Sequence, residues 1–201
     1  QVKALAKVTG SGGSATDWKV LAQIKDLGNM NVAFLRKDER YKYMVYVSGG
    51  LFVDQDDRLY TSTDGVWPRA CMLLWAMDGY GNMFIYDHYT LAQTKGLQQG
   101  NHSSVNAGKD VICAGMITVD KGVVTDITNT SGHYKPSKEN LARALHILVD
   151  EGLDLSQATI RAIRPEPTTM AQVWWQTFDL NQFLASHGNC ACTSEVLGPK
   201  P

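Results

Sequence analysis

Two polar clusters in this chain carry the residue types that acid–base, nucleophilic or anion-binding chemistry uses. One is His102-Ser103-Ser104, and the other is the string Ser131-Gly132-His133-Tyr134-Lys135-Pro136-Ser137. A histidine and a tyrosine beside a glycine, at the start of a helix, are groups that hold an anionic or polar ligand. The candidate catalytic residues are His102, His133 and Tyr134, and the candidate substrate-binding residues are Ser103, Ser104 and Ser131.

A predicted β-hairpin separates the two clusters. Its strands are residues 111–119 and 123–128, joined by Asp120-Lys121-Gly122. In a hairpin the start of the first strand lies beside the end of the second. The clusters flank these two ends, so they are predicted to be neighbours in space although about thirty residues apart in sequence.

The other elements predict an α+β fold with a mainly antiparallel sheet and a few flanking helices. Helical spacing of apolar residues predicts helices at 16–27, after the cap Ser137 up to Gly152, and from Met170 to His187, restarting at Asp179. Further strands are predicted at 43–47, 51–53, 58–60, 70–77, 83–86 and 159–163. The predicted organisation is a flexible lead-in at 1–15, one domain at 16–188 and a polar tail at 189–201.

Composition bounds the function classes. The chain has 201 residues, of which 44% are hydrophobic and 19% charged, with a formal net charge of −1. This balance gives no basic surface for nucleic acid, and no apolar run is long enough to span a membrane. The first residues lack the apolar segment of a signal peptide, which fits a mature product or a piece of a longer protein. The oligomeric state stays open.

The four cysteines do not predict a disulfide scaffold. Cys71 and Cys113 lie in apolar runs and are interpreted as buried free thiols. His187, Cys190 and Cys192 have the spacing of metal ligands, but a closed zinc site needs a fourth ligand. No metal is therefore expected.

A family resemblance begins at the two clusters. His102-Ser103-Ser104, Ala114-Gly115, Gly122 and the string from Ser131 to Pro136, with Glu139-Asn140 after it, resemble a block of the plant IQ-motif calmodulin-binding proteins. Similar blocks occur in uncharacterised bacterial proteins, some of which are toxin- or effector-like. The resemblance covers about residues 100–155. The chain shows no basic IQ-type helix, so calmodulin binding is not carried over, and Met116 stands where the bacterial blocks often have an acidic residue.

The bacterial side of the resemblance leads to our main functional hypothesis, a toxin- or effector-type domain that transfers ADP-ribose from NAD to a protein target. His102 and Tyr134 would hold the nucleotide, and Tyr60-Thr61-Ser62-Thr63 is similar to a strand of such transferases. Their Glu-x-Glu or Gln-x-Glu signature is absent. Such a protein would be secreted or delivered into another cell; otherwise a cytoplasmic location is expected.

Two alternatives stay open. The first is a hydrolase, deamidase or acyltransferase with Cys113 as nucleophile and His102 or His133 as base. The second is a noncatalytic protein-interaction module. In it, His133 and Tyr134 form a structural corner, bonding to the backbone of the loop at 90–109. Aromatic residues would then contribute to a binding surface: Trp67, Trp174 and Trp175.

Overall fold

A single nine-stranded sheet dominates the computed structural model, which describes residues 21–24, 32, 34–62, 72–87, 100–163 and 172–199. Its strands are β1 (Met44–Ser48), β2 (Leu51–Val53), β3 (Leu73–Asp78), β4 (Met83–Tyr86), β5 (Val111–Asp120), β6 (Val123–Thr128), β7 (Thr159–Ile163), β8 (Gln172–Phe178) and β9 (Ser194–Pro199). They lie in the order β2-β1-β4-β3-β5-β6-β7-β8-β9. Of these neighbouring pairs, β6–β7 is parallel and the others are antiparallel.

The predicted α+β class is wrong, because the described chain is mostly sheet with few and mainly short helices. The helices are α1 (Lys37–Arg40), which continues into a 3-10 turn at Tyr41–Tyr43, α2 (His102–Val105), α3 (Lys138–Asp150) and α4 (Leu180–Ala185).

Two segments predicted to be helical are extended instead. Ala22, in the helix predicted at 16–27, pairs with Val111 in an antiparallel bridge, and most of that predicted helix lies outside the described residues. The stretch after Met170 forms β8, although the helix restart is confirmed, because Asp179 caps α4 with its carboxylate 3.0 Å from the Gln182 amide. Within residues 189–201, predicted as a polar tail, the structure places β9.

Both central hairpins form where their turn residues predict them. Between β3 and β4, Asp78 Oδ1 accepts hydrogen bonds from the amides of Tyr80 and Asn82 at 2.9 and 3.0 Å. Between β5 and β6, Lys121 and Gly122 both have positive φ, 47° and 85°, as a two-residue hairpin turn requires. Local turn chemistry therefore sets the register within each of these two hairpins.

Alternation along β3 separates two apolar cores. Leu73, Trp75 and Met77 face the first core, whereas Leu74 and Ala76 face the second. Every residue of β3 is buried, so this strand has no solvent face and reads as a continuous apolar run rather than an alternating one.

Helix α3 covers the first core. Its N-cap Ser137 accepts a hydrogen bond from the Asn140 amide, and its own amide donates to Asn140 Oδ1 at 2.9 Å. Leu141, Leu145 and Leu148 are fully buried, in agreement with the helical spacing of apolar residues that predicted this helix. Val149, near its end, is 40% exposed.

The sheet bends back on itself at the β5–β6 turn. The Gly122 carbonyl accepts from the Phe52 amide of β2 at 2.9 Å, and the Gly122 amide donates to the Tyr60 carbonyl at 2.7 Å. A Cβ on Gly122 would lie 2.8 Å from Leu51 Cβ. Glycine here permits both the positive φ and the close approach of β2.

No helix among the described residues has the length and hydropathy to cross a membrane.

Candidate functional site

The two polar clusters meet, as predicted from the hairpin. A hydrogen bond of 2.8 Å joins Ser103 Oγ of α2 to His133 Nδ1. Ser103 is fully buried and His133 is 6% exposed, so water is excluded from this contact. We refer to the six predicted site residues together as the buried polar cluster; they are His102, Ser103, Ser104, Ser131, His133 and Tyr134.

His102 ties α2 to the middle of strand β5. Its Nε2 lies 2.8 Å from the Gly115 carbonyl oxygen, and because a carbonyl only accepts, Nε2 carries the proton and donates. Gly115 lies against the backbone at the end of β6, where a Cβ would be 1.8 Å from the Thr128 carbonyl oxygen. That same oxygen accepts from the Trp75 indole at 3.0 Å. Close backbone packing at Gly115 therefore joins α2, β5 and β6.

Tyr134 ties the second cluster to the loop before β5. Its hydroxyl donates to the Lys109 carbonyl at 2.8 Å, which confirms the predicted contact between the phenol and the 90–109 backbone. Asn106 holds the same loop by donating to the carbonyls of Lys109 and Asp110. Burial raises the pKa of the Tyr134 hydroxyl, and the negative charge of Asp110 raises it further. The phenol thus acts as a neutral donor.

Ser104 and Ser131, the other two serines predicted to bind substrate, are buried like Ser103, and their hydroxyls bond to the backbone. Ser131 Oγ accepts from the Tyr134 amide at 3.3 Å, and Ser104 Oγ accepts from the Asn101 amide at 3.1 Å. The Ser104 carbonyl accepts from the Leu35 amide at 2.9 Å. These contacts shape the turn at 131–134 and the start of α2 rather than opening a cavity.

This geometry favours a structural joint over nucleophilic chemistry. A serine nucleophile must present Oγ to a substrate carbonyl while histidine removes its proton. Ser103 Oγ and the Tyr134 hydroxyl both lie inside the protein with protein partners. A substrate could reach either group only if the surrounding structure opened.

Cys113, the alternative nucleophile, is fully buried in the first core. Burial raises the pKa of its thiol well above the ordinary value, whereas a reactive cysteine needs a lowered pKa and partial exposure. Cys190 and Cys192 are half-buried and packed against the same core, and Cys71 lies outside the described residues. Among the described residues, no three histidine, cysteine or acidic side chains are grouped closely enough for a metal.

The Tyr60–Thr63 stretch also has a structural place. Ser62 is 1% exposed, and its hydroxyl donates to the Val119 carbonyl at 3.1 Å while accepting from the Val119 amide at 2.8 Å. These bonds attach residues 60–62 to the end of β5. Thr63, Trp67 and the side chain of Trp174 lie outside what the structure describes.

Sequence reasoning missed two residues that organise this region. Asn129 is buried directly after β6; its Nδ2 donates to the Pro136 carbonyl, and its Oδ1 accepts from the Ile163 amide, both at 2.9 Å. Gly115 is the other, and a glycine inside an otherwise apolar strand is a known sign of close backbone approach. Asn129 had no such signal, because its partners lie on other elements.

A second polar group lies farther along the sheet. Asp126 of β6 forms an ion pair with Arg161 of β7, with 2.9 Å between Oδ2 and Nη2. The Arg161 guanidinium lies 5.6 Å from the centre of the Trp175 ring on β8. Burial raises the pKa of Asp126 to about 6, and the positive charge of Arg161 offsets this only in part.

Comparison with known proteins places the chain in a family. Residues 39–141 match the family described as the IQ motif-containing protein middle domain. The chain belongs to this family. It is 37% identical over 60 residues to IQ domain-containing protein IQM3 of Arabidopsis thaliana, a stretch that covers 30% of this chain and 13% of that protein. No solved structure matches the chain.

The family match confirms the resemblance to plant IQ-motif proteins and extends it. It begins at residue 39, well before the expected start near residue 100, and so includes β1 through β6 and the first turn of α3. The toxin, effector and ADP-ribosyltransferase assignments are wrong, because the match is to IQ-motif proteins. The location of the protein and the expectations about NAD and metals stay predictions.

Proposed function

We propose that this chain is a noncatalytic protein-interaction module of the IQ-motif family, in which the buried polar cluster is a structural joint. The observation that carries the proposal is that Ser103, His133 and Tyr134 are buried and hydrogen-bonded within the protein. Their burial, and the bonds from Ser103 to His133 and from Tyr134 to the Lys109 backbone, occupy the groups that catalysis would need exposed.

Membership of the middle domain family supports the same conclusion, since the relatives are named for a motif rather than for a reaction. The matched stretch is 13% of the Arabidopsis protein, so the partners of that whole protein are not assigned to this chain. A domain that works by binding needs a rigid scaffold under its surface. The joint between α2, β5 and the 131–134 turn supplies such rigidity.

Photo-cross-linking from exposed apolar positions tests the proposal. Tyr41, Leu59 and Tyr80 are 52%, 52% and 79% exposed, so a benzoylphenylalanine at each position leaves the core intact. We expect a partner that cross-links from at least one position, is competed by unlabelled chain, and binds again as a purified protein with a measurable Kd.

The hypothesis that the chain is an enzyme is tested in parallel by assays with ester, amide and NAD substrates. We expect no turnover that depends on His133 or Cys113. The proposal is overturned if His133→Ala abolishes a measured turnover while the melting temperature and the partner Kd are unchanged. It is also overturned if no cross-linked protein rebinds after purification.

A further inference from the structure

Two histidines meet where helix α4 packs against helix α3. The His146 ring of α3 and the His187 ring, just after α4, have centroids 5.3 Å apart and planes inclined at 43°. His146 is half-buried, whereas His187 is exposed to solvent. Neither residue belongs to the buried polar cluster, so the two form a separate group, which we call the histidine pair.

A backbone hydrogen bond fixes which nitrogen of His146 is available to a ligand. Its Nε2 lies 3.0 Å from the Leu184 carbonyl oxygen, and because a carbonyl only accepts, Nε2 carries the proton. In the neutral ring this leaves the lone pair on Nδ1. A histidine that binds a metal donates its other ring N–H to such a carbonyl in most sites, which holds the ring in one orientation. His146 therefore already has the outer hydrogen bond that a metal ligand needs.

The turn after α4 holds His187 in place before any ligand binds. His187 has a φ of 52°, in the left-handed region where a helix end usually has glycine, and its amide donates to the Leu184 carbonyl at 3.1 Å. The next residue, Gly188, lies so close to α3 that a Cβ would be 2.9 Å from the Lys138 carbonyl oxygen. This close packing of the turn against α3 sets the distance between the two rings.

The ring separation matches two imidazoles bound to one tetrahedral zinc ion. With Zn–N bonds of about 2.0–2.1 Å, each ring centroid lies roughly 3.2 Å from the metal, which places two centroids roughly 5.2 Å apart at a tetrahedral angle. The observed separation of 5.3 Å agrees with this value. Imidazole nitrogens suit zinc, copper and nickel, whereas magnesium and calcium prefer oxygen ligands. The donor set therefore favours a divalent transition metal.

We propose that the histidine pair binds a zinc ion through Nδ1 of His146 and a ring nitrogen of His187, with water in the remaining positions. Two protein ligands are compatible with the lack of any group of three among the described residues. Sequence spacing drew attention to His187, Cys190 and Cys192, but it could not show His146, which lies on another helix. Bound zinc would link α3 to the end of α4. The inference does not depend on the proposed interaction function.

Isothermal titration calorimetry of the whole chain with zinc chloride tests the inference. We expect saturable binding of zinc, and none of magnesium chloride. His146→Gln and His187→Gln should each weaken zinc binding by more than about tenfold, since loss of even an outer hydrogen bond costs a metal site that much. Glutamine can still donate to the Leu184 carbonyl, and His187 is exposed, so both variants should keep the parent melting temperature in EDTA.

NMR of the ring nitrogens in the parent chain gives a second measurement that needs no substitution. In the zinc-bound chain the His146 Nε2–H resonance should persist, because Nδ1 is the ligand and Nε2 stays bonded to Leu184. Loss of that resonance on saturation would place the metal on Nε2 and overturn the assignment.

Cys190→Ser and His88→Gln are the control variants, because they remove another half-buried metal-binding side chain and a histidine outside the described residues. Both should leave the zinc Kd unchanged. Three outcomes would each overturn the inference: a control variant that weakens binding as much as His146→Gln, a His146→Gln or His187→Gln chain that binds zinc as tightly as the parent, and absence of saturable binding.

Discussion

Gly115→Ala probes the glycine with the least room for a Cβ among the glycines that the structure describes. A Cβ at this position would lie 1.8 Å from the Thr128 carbonyl oxygen, 2.6 Å from its carbonyl carbon and 2.9 Å from Asn129 Cα. Relief of these overlaps requires the end of β6 to move by more than about 1 Å, since real Cβ contacts lie beyond 3.0 Å. That movement pulls the Thr128 carbonyl away from the Trp75 indole.

Gly115→Ala should lower the free energy of unfolding through two effects. Overpacking a tightly packed site costs roughly 1–3 kcal/mol. A buried donor left without its partner costs roughly a further 1–3 kcal/mol, and both the Trp75 indole and the His102 imidazole depend on this contact. We expect a loss of about 3–5 kcal/mol in the free energy of unfolding, which lowers the melting temperature by roughly 6–20 °C for a domain of this size.

Urea unfolding followed by tryptophan fluorescence measures this loss. Gly132→Ala is the matched control, because nothing lies within 4 Å of its added Cβ and the residue is exposed. It should change the free energy of unfolding by less than about 0.5 kcal/mol. A Gly115→Ala protein within about 1 kcal/mol of the parent would refute the reasoning about backbone packing.

Three further predictions concern the cluster, the ion pair and the buried thiol. Ser103→Ala and His133→Ala should each lower the free energy of unfolding by about 1–3 kcal/mol, and the double variant should lower it by about 1 kcal/mol less than the sum of the two. Additive losses in urea unfolding would argue against the hydrogen bond between them. Asp126 has a folded pKa of about 6, above the ordinary value, so the folded state retains a proton between about pH 4 and pH 6 that the unfolded state releases. The contribution of this group to the free energy of unfolding therefore increases as the pH falls through 6. Asp126→Asn should remove that pH dependence and raise the free energy of unfolding at pH 7.5 by about 1–2 kcal/mol, after allowance for partial exposure, with no difference at pH 4. An unchanged pH profile of stability would contradict this. Cys113 should stay unreactive to Ellman's reagent at pH 8 until the protein unfolds, whereas the half-buried Cys190 reacts in the native state; fast labelling of Cys113 would contradict its burial.

The sequence predicted best the elements whose determinants are local. Strands β3 to β6 follow from turn residues such as Asp78 and Gly122, and α3 follows from the Ser137 cap and a buried stripe. Strands β8 and β9 were missed because the information that makes them strands is their pairing with distant partners. With β8 read as helix, the helical content was overestimated and the fold class came out wrong.

In the candidate site, too, the sequence predicted what depends on local structure and missed what depends on distant packing. Hairpin geometry alone was enough to bring Ser103 and His133 together. It could not predict their burial, because that depends on how Leu35, Val105 and Tyr134 pack in the second core. The string around Gly132 attracted attention for its permissive glycine, yet the glycine that the structure requires is Gly115.

The parallel pairing of β6 with β7 has a consequence for how the molecule folds. Strands β3–β4 and β5–β6 form between neighbours in sequence, but β7 reaches β6 only after residues 129–158, which include α3, have been placed. Closing a loop of that length costs entropy before any contact compensates for it. Strands β7 to β9 should therefore join late and open first, and amide hydrogen exchange should show them as a cooperative unit less protected than β3 and β5.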